Sequence, residues 1–326
     1  MDKGNRMRLS RSAILGGAGA AIVAAFAHSA RTLAASPEII ISGSANEAAG
    51  NAFYANDLGY FQKAGLNVKL TVLTTAAPMV AAVVSGSVAI SGIPLPQIAL
   101  ARAKGIPIVM IAPGALYMST VPTNGLIALK DSPLKQAADL NGKTIATRDV
   151  ANMAYIAARA WIDKNGGDSK SVHWLETADP TDVAALQSGR IDAASVGEPA
   201  FDDALRGGAV KVLGRAFDAI APRFLINGFC TSEVFAKENP DVVRRFADTI
   251  EAASRWANQT KNHPQSAQII ARYTMAPVLP DSTRVVYAEQ SRATDIQPVL
   301  DALLTYGFLK MPMRAADLVS PLLHLS

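Results

Sequence analysis

The sequence predicts an α/β protein of two lobes, and two observations carry that expectation. First, a block repeats. Ala81-Ala82-Val83-Val84-Ser85-Gly86 followed by Pro96 matches Ala184-Ala185-Leu186-Gln187-Ser188-Gly189 followed by Pro199, at a constant offset of 103 residues. Gly105 and Gly208 keep that register, while upstream Asn51 and Tyr54 pair with Asn152 and Tyr155 at an offset of 101. Coincidence in an alanine-rich chain is the competing explanation. The matched Ser-Gly, Pro and Asn positions, however, fall at element boundaries, where backbone chemistry restricts the residue. Second, strands alternate with helices in both copies at the spacing of parallel βαβ units.

Each element has a local reason. In the first copy, Glu38–Ser42 is a β-branched run and Asn51–Ala64 a helix with one apolar face, ended by Gly65. Val68–Leu73 alternates as a strand, Pro78–Val84 is a helix with proline in its first turn, and Val88–Ser91 is a strand. In the second copy, Thr144–Thr147 is a strand, Val150–Lys164 a helix ended by Gly166, and Val172–Leu175 a strand. Asp179-Pro180-Thr181-Asp182 then opens a helix with a capping acid and an early proline, before a strand at Ile191–Val196.

The C-terminal third is read as helices. Asn239-Pro240 opens one that runs to about Asn258, His263-Pro264 opens another, and Asp281–Gln290 and Thr294–Thr305 follow. It holds no third copy, so it must pack on an existing lobe. The expected division is residues 36–122 plus 232–326 for lobe 1 and 123–231 for lobe 2, with crossings near Val121-Pro122 and Asn227–Ser232. Two crossings make a hinge. Ligands of open α/β sheets sit beyond the C-terminal ends of the strands, so both copies aim their loops into one cleft.

Residues 1–35 read as a secretory signal. Lys3, Arg6, Arg8 and Arg11 precede an uncharged run, Ala13–Ala27, with small residues near Ala27 and Ala34 for cleavage. That run is shorter than the ~20 residues needed to cross a bilayer, which disfavours an uncleaved anchor. Sec and a degenerate twin-arginine route both stay open. The signal carries five of the 31 basic residues and one of the 27 acidic ones, leaving 26 of each. The pI of 9.1 therefore reports the leader, and nucleic-acid binding loses its main support. Cys230 is the only cysteine, so the chain forms no internal disulfide and carries no lipid-anchor cysteine. The expected location is the periplasm.

Enzyme motifs are missing. His28, His173, His263 and His324 are scattered without metal-ligand spacing, and there is neither a Gly-x-Ser-x-Gly elbow nor a phosphate-binding loop outside the leader. Asn258-Gln259-Thr260 is a glycosylation sequon by pattern only. No catalytic residue, metal or cofactor is expected.

Several short motifs then line up in order. Gly59-Tyr60-Phe61 with Gly65-Leu66 and Val68 resembles the "GYF-x-x-x-GL-x-V" opening of periplasmic solute-binding proteins of the nitrate/sulfonate/taurine and thiamine-precursor group. Ser85-Gly86 resembles its "SG-x-x-D" segment, with Ala89 where an Asp is usual. Asp139-Leu140-Asn141-Gly142-Lys143, Ala185–Ala193 with Glu198-Pro199, and Asn239–Val243 resemble "DL-x-GK", "AL-x-SG-x-x-DA…EP" and "NPDVV". The resemblance implies a two-lobed periplasmic binding protein fold of type 2, with two open mixed sheets flanked by helices. It implies a monomer that takes a small solute, such as a sulfonate, a taurine-like compound or another organic anion, to the permease of an ABC importer. Binding or synthesis of a thiamine pyrimidine precursor is the alternative; the enzymes of that group use a cysteine-rich loop and a sacrificial histidine, which this chain lacks. A solute sensor for a membrane kinase would use the same fold.

Candidate ligand residues come from the loops. Asn46 and Asn51 follow the first strand, and Asn152 is the repeat counterpart of Asn51; both Asn51 and Asn152 are equally suited to capping their helices. Thr75 precedes a helix, as ligand residue or local turn. Gly92, beside Ile93, allows close backbone approach or merely shapes a turn. Thr147 and Arg148 follow the second copy's first strand, and Arg148 is either an anion clamp or a solvated arginine. Glu198 suits an amine or hydroxyl, or only a helix dipole. Tyr117 and Asn227 line the cleft wall or pack the hinge.

Overall fold

Strand order reveals how the repeated block is used. The computed structural model describes residues 37–326 except 151, 178–180, 199 and 275–282; the leader, Asp179-Pro180 and Pro199 lie outside the described residues. The first copy builds β1 (Ile39–Gly43), α1 (Gly50–Asp57), α2 (Tyr60–Lys63), β2 (Val68–Val72), α3 (Ala76–Ser85), β3 (Ile90–Pro94), α4 (Leu95–Ala103) and β4 (Ile108–Pro113). After β5 (Ala115–Met118) and β6 (Asn124–Leu129), the second copy follows. It gives β7 (Thr144–Thr147), α5 (Met153–Lys164), β8 (His173–Glu176), α6 (Asp182–Gln187), β9 (Ala193–Gly197), α7 (Ala200–Arg206) and β10 (Val210–Gly214). The chain ends with β11 (Arg223–Leu225), β12 (Asn227–Ser232), α8 (Glu233–Glu238), α9 (Pro240–Ala257), α10 (His263–Thr274), β13 (Val286–Tyr287) and α11 (Ala293–Thr305).

The first sheet has the order β2-β1-β3-β12-β4 and the second, read from the matching edge, β8-β7-β9-β6-β10. The orders correspond strand for strand. In each, three strands of the repeat run parallel, and one inserted strand, β12 or β6, runs antiparallel to both its neighbours. Both inserted strands begin Asn-Gly, at Asn124-Gly125 and Asn227-Gly228, again 103 residues apart. Each glycine admits a large neighbour: a Cβ on Gly125 would lie 2.2 Å from the Phe201 ring, and one on Gly228 2.2 Å from Met110 Sδ. These are therefore two lobes of one topology. Because β12 pairs with β3 and β4 from Asn227 onward, a boundary drawn after residue 231 would cut through this strand.

A three-stranded sheet, β11-β5-β13, carries both crossings: β5 leads out of the first sheet and β11 leads back. Here the expected helix Asp281–Gln290 is corrected. Over its described part the chain forms β13, with Val286 opposite Leu116 and Tyr287 opposite Ala115. A β-branched and aromatic pair suits a strand. Tyr287 is also held by its N–H to Asn258 Oδ1 (2.9 Å) and by its hydroxyl to the Glu47 carbonyl (2.6 Å). The Asn258 sequon is thus occupied internally, since its Nδ2 donates to the Tyr287 carbonyl. The expected helix Asn51–Ala64 is split into α1 and α2 because Gly59 takes a left-handed φ of 71° between them.

The first lobe's core forms around α9. Val243, Phe246, Ala247, Ile250, Ala253 and Ala257 recur at helical spacing and are buried. Phe246 stacks on Phe61 at 5.8 Å and meets Phe229 edge-on at 5.5 Å, so helix, repeat and inserted strand lock at one point. Burying such a ring contributes roughly 1.5–3 kcal/mol. Cys230, beside Phe229 in β12, is fully buried.

Candidate functional site

A cavity of about 310 Å³ opens beyond the C-terminal ends of β1, β2, β3, β7 and β9, within the size range of small-ligand sites. The first lobe lines it with Ser44, Asn46, Glu47, Thr74, Thr75 and Gln97; the second with Thr123, Asn124, Arg148, Asp149, Asn152, Ser195 and Glu198. Apolar surface comes from Met79, Ala115, Met153, Phe217 and Ile226.

Local structure sets most of these side chains. Asn46 is extended and caps the 3-10 turn Glu47–Ala49, its side chain accepting from Ala48 N at 3.1 Å. Asn152 does the same for α5, accepting from Tyr155 N at 2.8 Å, which is why that helix starts at Met153. Each is a capping residue and a cleft residue at once. Thr75 precedes α3 in extended conformation and makes no side-chain cap bond. Arg148 and Asp149 stand exposed on the loop after β7.

Carboxylates dominate the electrostatics. Glu47 forms a buried ion pair with Arg284 and accepts from Val285 N at 3.2 Å. Burial nevertheless raises its pKa, against the lowering effect of Arg284. Glu198 Oε2 accepts from Asp202 N at 3.2 Å. Burial first, then the charge of Asp202, push the Glu198 carboxyl up to about 8, with a further contribution from Glu47. Among the described residues no cluster of His, Cys, Asp or Glu is arranged to hold a metal.

Of the sequence candidates, Asn46, Thr75, Arg148, Asn152 and Glu198 line the cleft. Six do not, and each has a packing reason. Asn51 is fully buried and bridges to Ser254 Oγ (3.1 Å) and the Pro113 carbonyl (3.5 Å), tying α1 to α9 and the end of β4. Gly92 sits inside β3 opposite Phe229, where a Cβ would approach that ring to 3.2 Å, and Ile93 is core. Thr147 is fully buried at the end of β7. Tyr117 is buried against Phe217 and Phe224, with its hydroxyl donating to Asp218 at 2.7 Å. Asn227 lies one layer behind the cleft: it accepts from Ala115 N (2.7 Å) and donates to the Ala48 carbonyl (3.1 Å).

Glu47, Gln97, Thr123 and Asn124 were not legible as site residues. The signal for two of them was present: Thr123-Asn124 and Ile226-Asn227 occupy equivalent places at the repeat offset, and Thr123, Asn124 and Ile226 all line the cavity.

The geometry agrees with known structures. The periplasmic aliphatic sulphonate binding protein SsuA from Escherichia coli superposes with a TM-score of 0.71 at 16% identity, over 87% of this chain and 92% of that one. The alkanesulfonate-binding protein SsuA from Xanthomonas axonopodis pv. citri, bound to MOPS, gives 0.68 at 18% identity over 90% and 100%. The periplasmic nitrate-binding protein NrtA from Synechocystis gives 0.68 at 14% over 86% and 83%. At such identities the likeness establishes the periplasmic binding protein fold. In sequence, the formylaminopyrimidine-binding protein of Halalkalibacterium halodurans is 27% identical over 141 residues, 43% of this chain and 41% of that protein. The match thus spans about two fifths of that relative's length. No helix among the described residues is long and apolar enough to cross a membrane. The NMT1/THI5-like family model matches residues 46–267, and the chain belongs to that family.

Proposed function

We propose that this chain is an exported solute-binding protein that closes its two lobes on a small organic solute and delivers it, unaltered, to the permease of an ABC importer. One observation carries the reading: a polar cleft beyond the strand ends of two sheets of the same order, with walls from both lobes. The reading takes residues 37–122 with 227–326 as one lobe and 123–226 as the other, supported by which strands share a sheet. Cleavage of the leader and a monomeric state complete the proposal.

Organic anions such as sulfonates are the first solute class, supported by Arg148 on the cleft rim and by the names of the structural neighbours. A pyrimidine is the second, favoured by the sequence likeness to the formylaminopyrimidine-binding protein. Thermal denaturation against alkanesulfonates, taurine, nitrate and aminopyrimidines tests both. A bound solute stabilises by RT ln(1 + [L]/Kd), about 2.7 kcal/mol at a hundredfold excess over Kd. The expected result is a concentration-dependent rise in Tm with the solute recovered intact. Chemical conversion of a probe, or no shift with any class, would sink the proposal.

A further inference from the structure

Two buried side-chain oxygens in the cleft, Asn124 Oδ1 and Glu198 Oε1, have no hydrogen-bond partner. Asn124 is 1% exposed, and its amide is oriented by the bond from Nδ2 to the Val196 carbonyl at 2.8 Å. That leaves Oδ1 without a partner. In the other lobe the equivalent atom, Asn227 Oδ1, accepts from Ala115 N at 2.7 Å. Glu198 repeats the pattern: Oε2 is held by Asp202 N, while Oε1 is buried and unpartnered. The two residues are neighbours by register. Asn124 pairs with Gly197 across β6 and β9, and Glu198 comes next, its N–H bonded to the Thr123 carbonyl at 3.1 Å. Both line the cavity.

We infer that Asn124 and Glu198 form a subsite for a cationic nitrogen donor of the solute, a protonated amine or amidine. The inference rests on the solute-binding reading and adds the chemistry of one end of the ligand. A carbonyl oxygen whose amide nitrogen is already committed can only accept, so the complementary group must donate. The charges around Glu198 point the same way. Asp202 flanks it, itself 3.9 Å from Arg206; Glu47 approaches from the first lobe, with its charge met by Arg284. Arg148 and Asp149 line the same cleft from the loop after β7. The Glu198 carboxyl, raised to about 8, holds its proton at neutral pH. An arriving cation favours the carboxylate, so the proton leaves for the buffer; an anion would favour keeping it.

The sign of proton exchange is therefore the test. Calorimetric titrations with taurine, 4-amino-5-aminomethyl-2-methylpyrimidine and ethanesulfonate, which lacks the amine, are run at pH 7 in phosphate and in Tris. The expected result is net proton release with an amine-bearing probe and affinity on the order of tenfold higher at pH 8 than at pH 6.5. Ethanesulfonate should bind at least tenfold more weakly, the scale of losing one charged hydrogen bond, on the order of tenfold. Glu198→Gln, which keeps the side-chain shape, should remove the proton release and the pH dependence. Ethanesulfonate binding as tightly as the amines, proton uptake, or an unaltered pH profile in Glu198→Gln would overturn the subsite and leave the solute-binding reading standing. No saturable binding by any probe would sink both.

Discussion

Thr283 and Asp202 join the two lobes at the cleft rim: the Thr283 N–H donates to Asp202 Oδ2 at 2.9 Å and its hydroxyl to Oδ1 at 3.4 Å. Asp202 lies in the first turn of α7, whose backbone also holds Glu198. Thr283 begins a strap that continues with Arg284 and Val285, both bonded to Glu47 on the opposite wall. Residues that touch the solute region on both sides are thus wired to the contact that bridges the lobes.

Asp202→Ala is expected to preserve the fold and to weaken solute binding about tenfold, because bonds to a charged acceptor contribute roughly 1.5–3 kcal/mol and this one is partly solvated. Isothermal titration measures it. An unchanged Kd would show that closure does not use the link.

Removing Arg284 strands Glu47. Arg284 is 8% exposed, and its guanidinium also donates to Tyr54 Oη (3.1 Å) and Ser266 Oγ (3.0 Å). Breaking a buried pair from one side costs about 3–5 kcal/mol. Arg284→Leu should therefore lower Tm by roughly 6–20 °C, taking about 2–4 °C per kcal/mol. Adding Glu47→Gln should restore a substantial part, as judged by differential scanning calorimetry; no recovery would mean that the packing of Arg284, and not its charge, is what matters.

The pH dependence of stability follows from Glu198. Its folded pKa of about 8 lies above the ordinary 4.5, so the native state binds more protons than the unfolded chain between these values. Stability from this group is fully present below about 4.5 and is lost as pH rises through about 8. Glu198→Gln should match the parent near pH 4.5 and exceed it by about 1–2 kcal/mol at pH 8.5, a figure reduced for partial solvation. Parallel melting curves at the two pH values decide it.

Asn51 and Asn152 should separate stability from binding. Asn51→Ala removes a buried bridge and is expected to cost about 1–3 kcal/mol with affinity unchanged. Asn152→Ala loses a helix cap at about 1 kcal/mol and also weakens solute binding. Chemical denaturation and titration of both variants provide the check, and equal effects on affinity would contradict the assignment.

Much of the fold was legible because its signals are local. The strand Thr144–Thr147 occurs as expected, and α9 and α10 start at Pro240 and His263, each with a proline in its first turn. Asp281–Gln290 misled because charged residues around a short Val-Val-Tyr run imitate an amphipathic helix, while the deciding partner, β5, lies about 170 residues away. The site was half legible. Loops after the repeat's strands could be placed, so Asn46, Thr75, Arg148, Asn152 and Glu198 were within reach. Thr123 and Asn124 were missed although the repeat offset marks their place, because only the sheet order shows that β6 is inserted beside β9, with its first residues at the cleft.

The amino-acid sequence by itself determined the alternation of strands and helices, the caps, and the doubling of one unit, since these depend on neighbours within a few residues or on direct self-similarity. Tertiary structure alone decided which twin faces the solute. Asn51 and Asn152 match at an offset of 101, and Asn124 and Asn227 at 103, yet one member of each pair lines the cleft and the other is spent on packing. The physical reason is that α9 and β5 pack on the first lobe, where Ser254 bonds Asn51 and Ala115 bonds Asn227, partners that have no counterpart across the cleft.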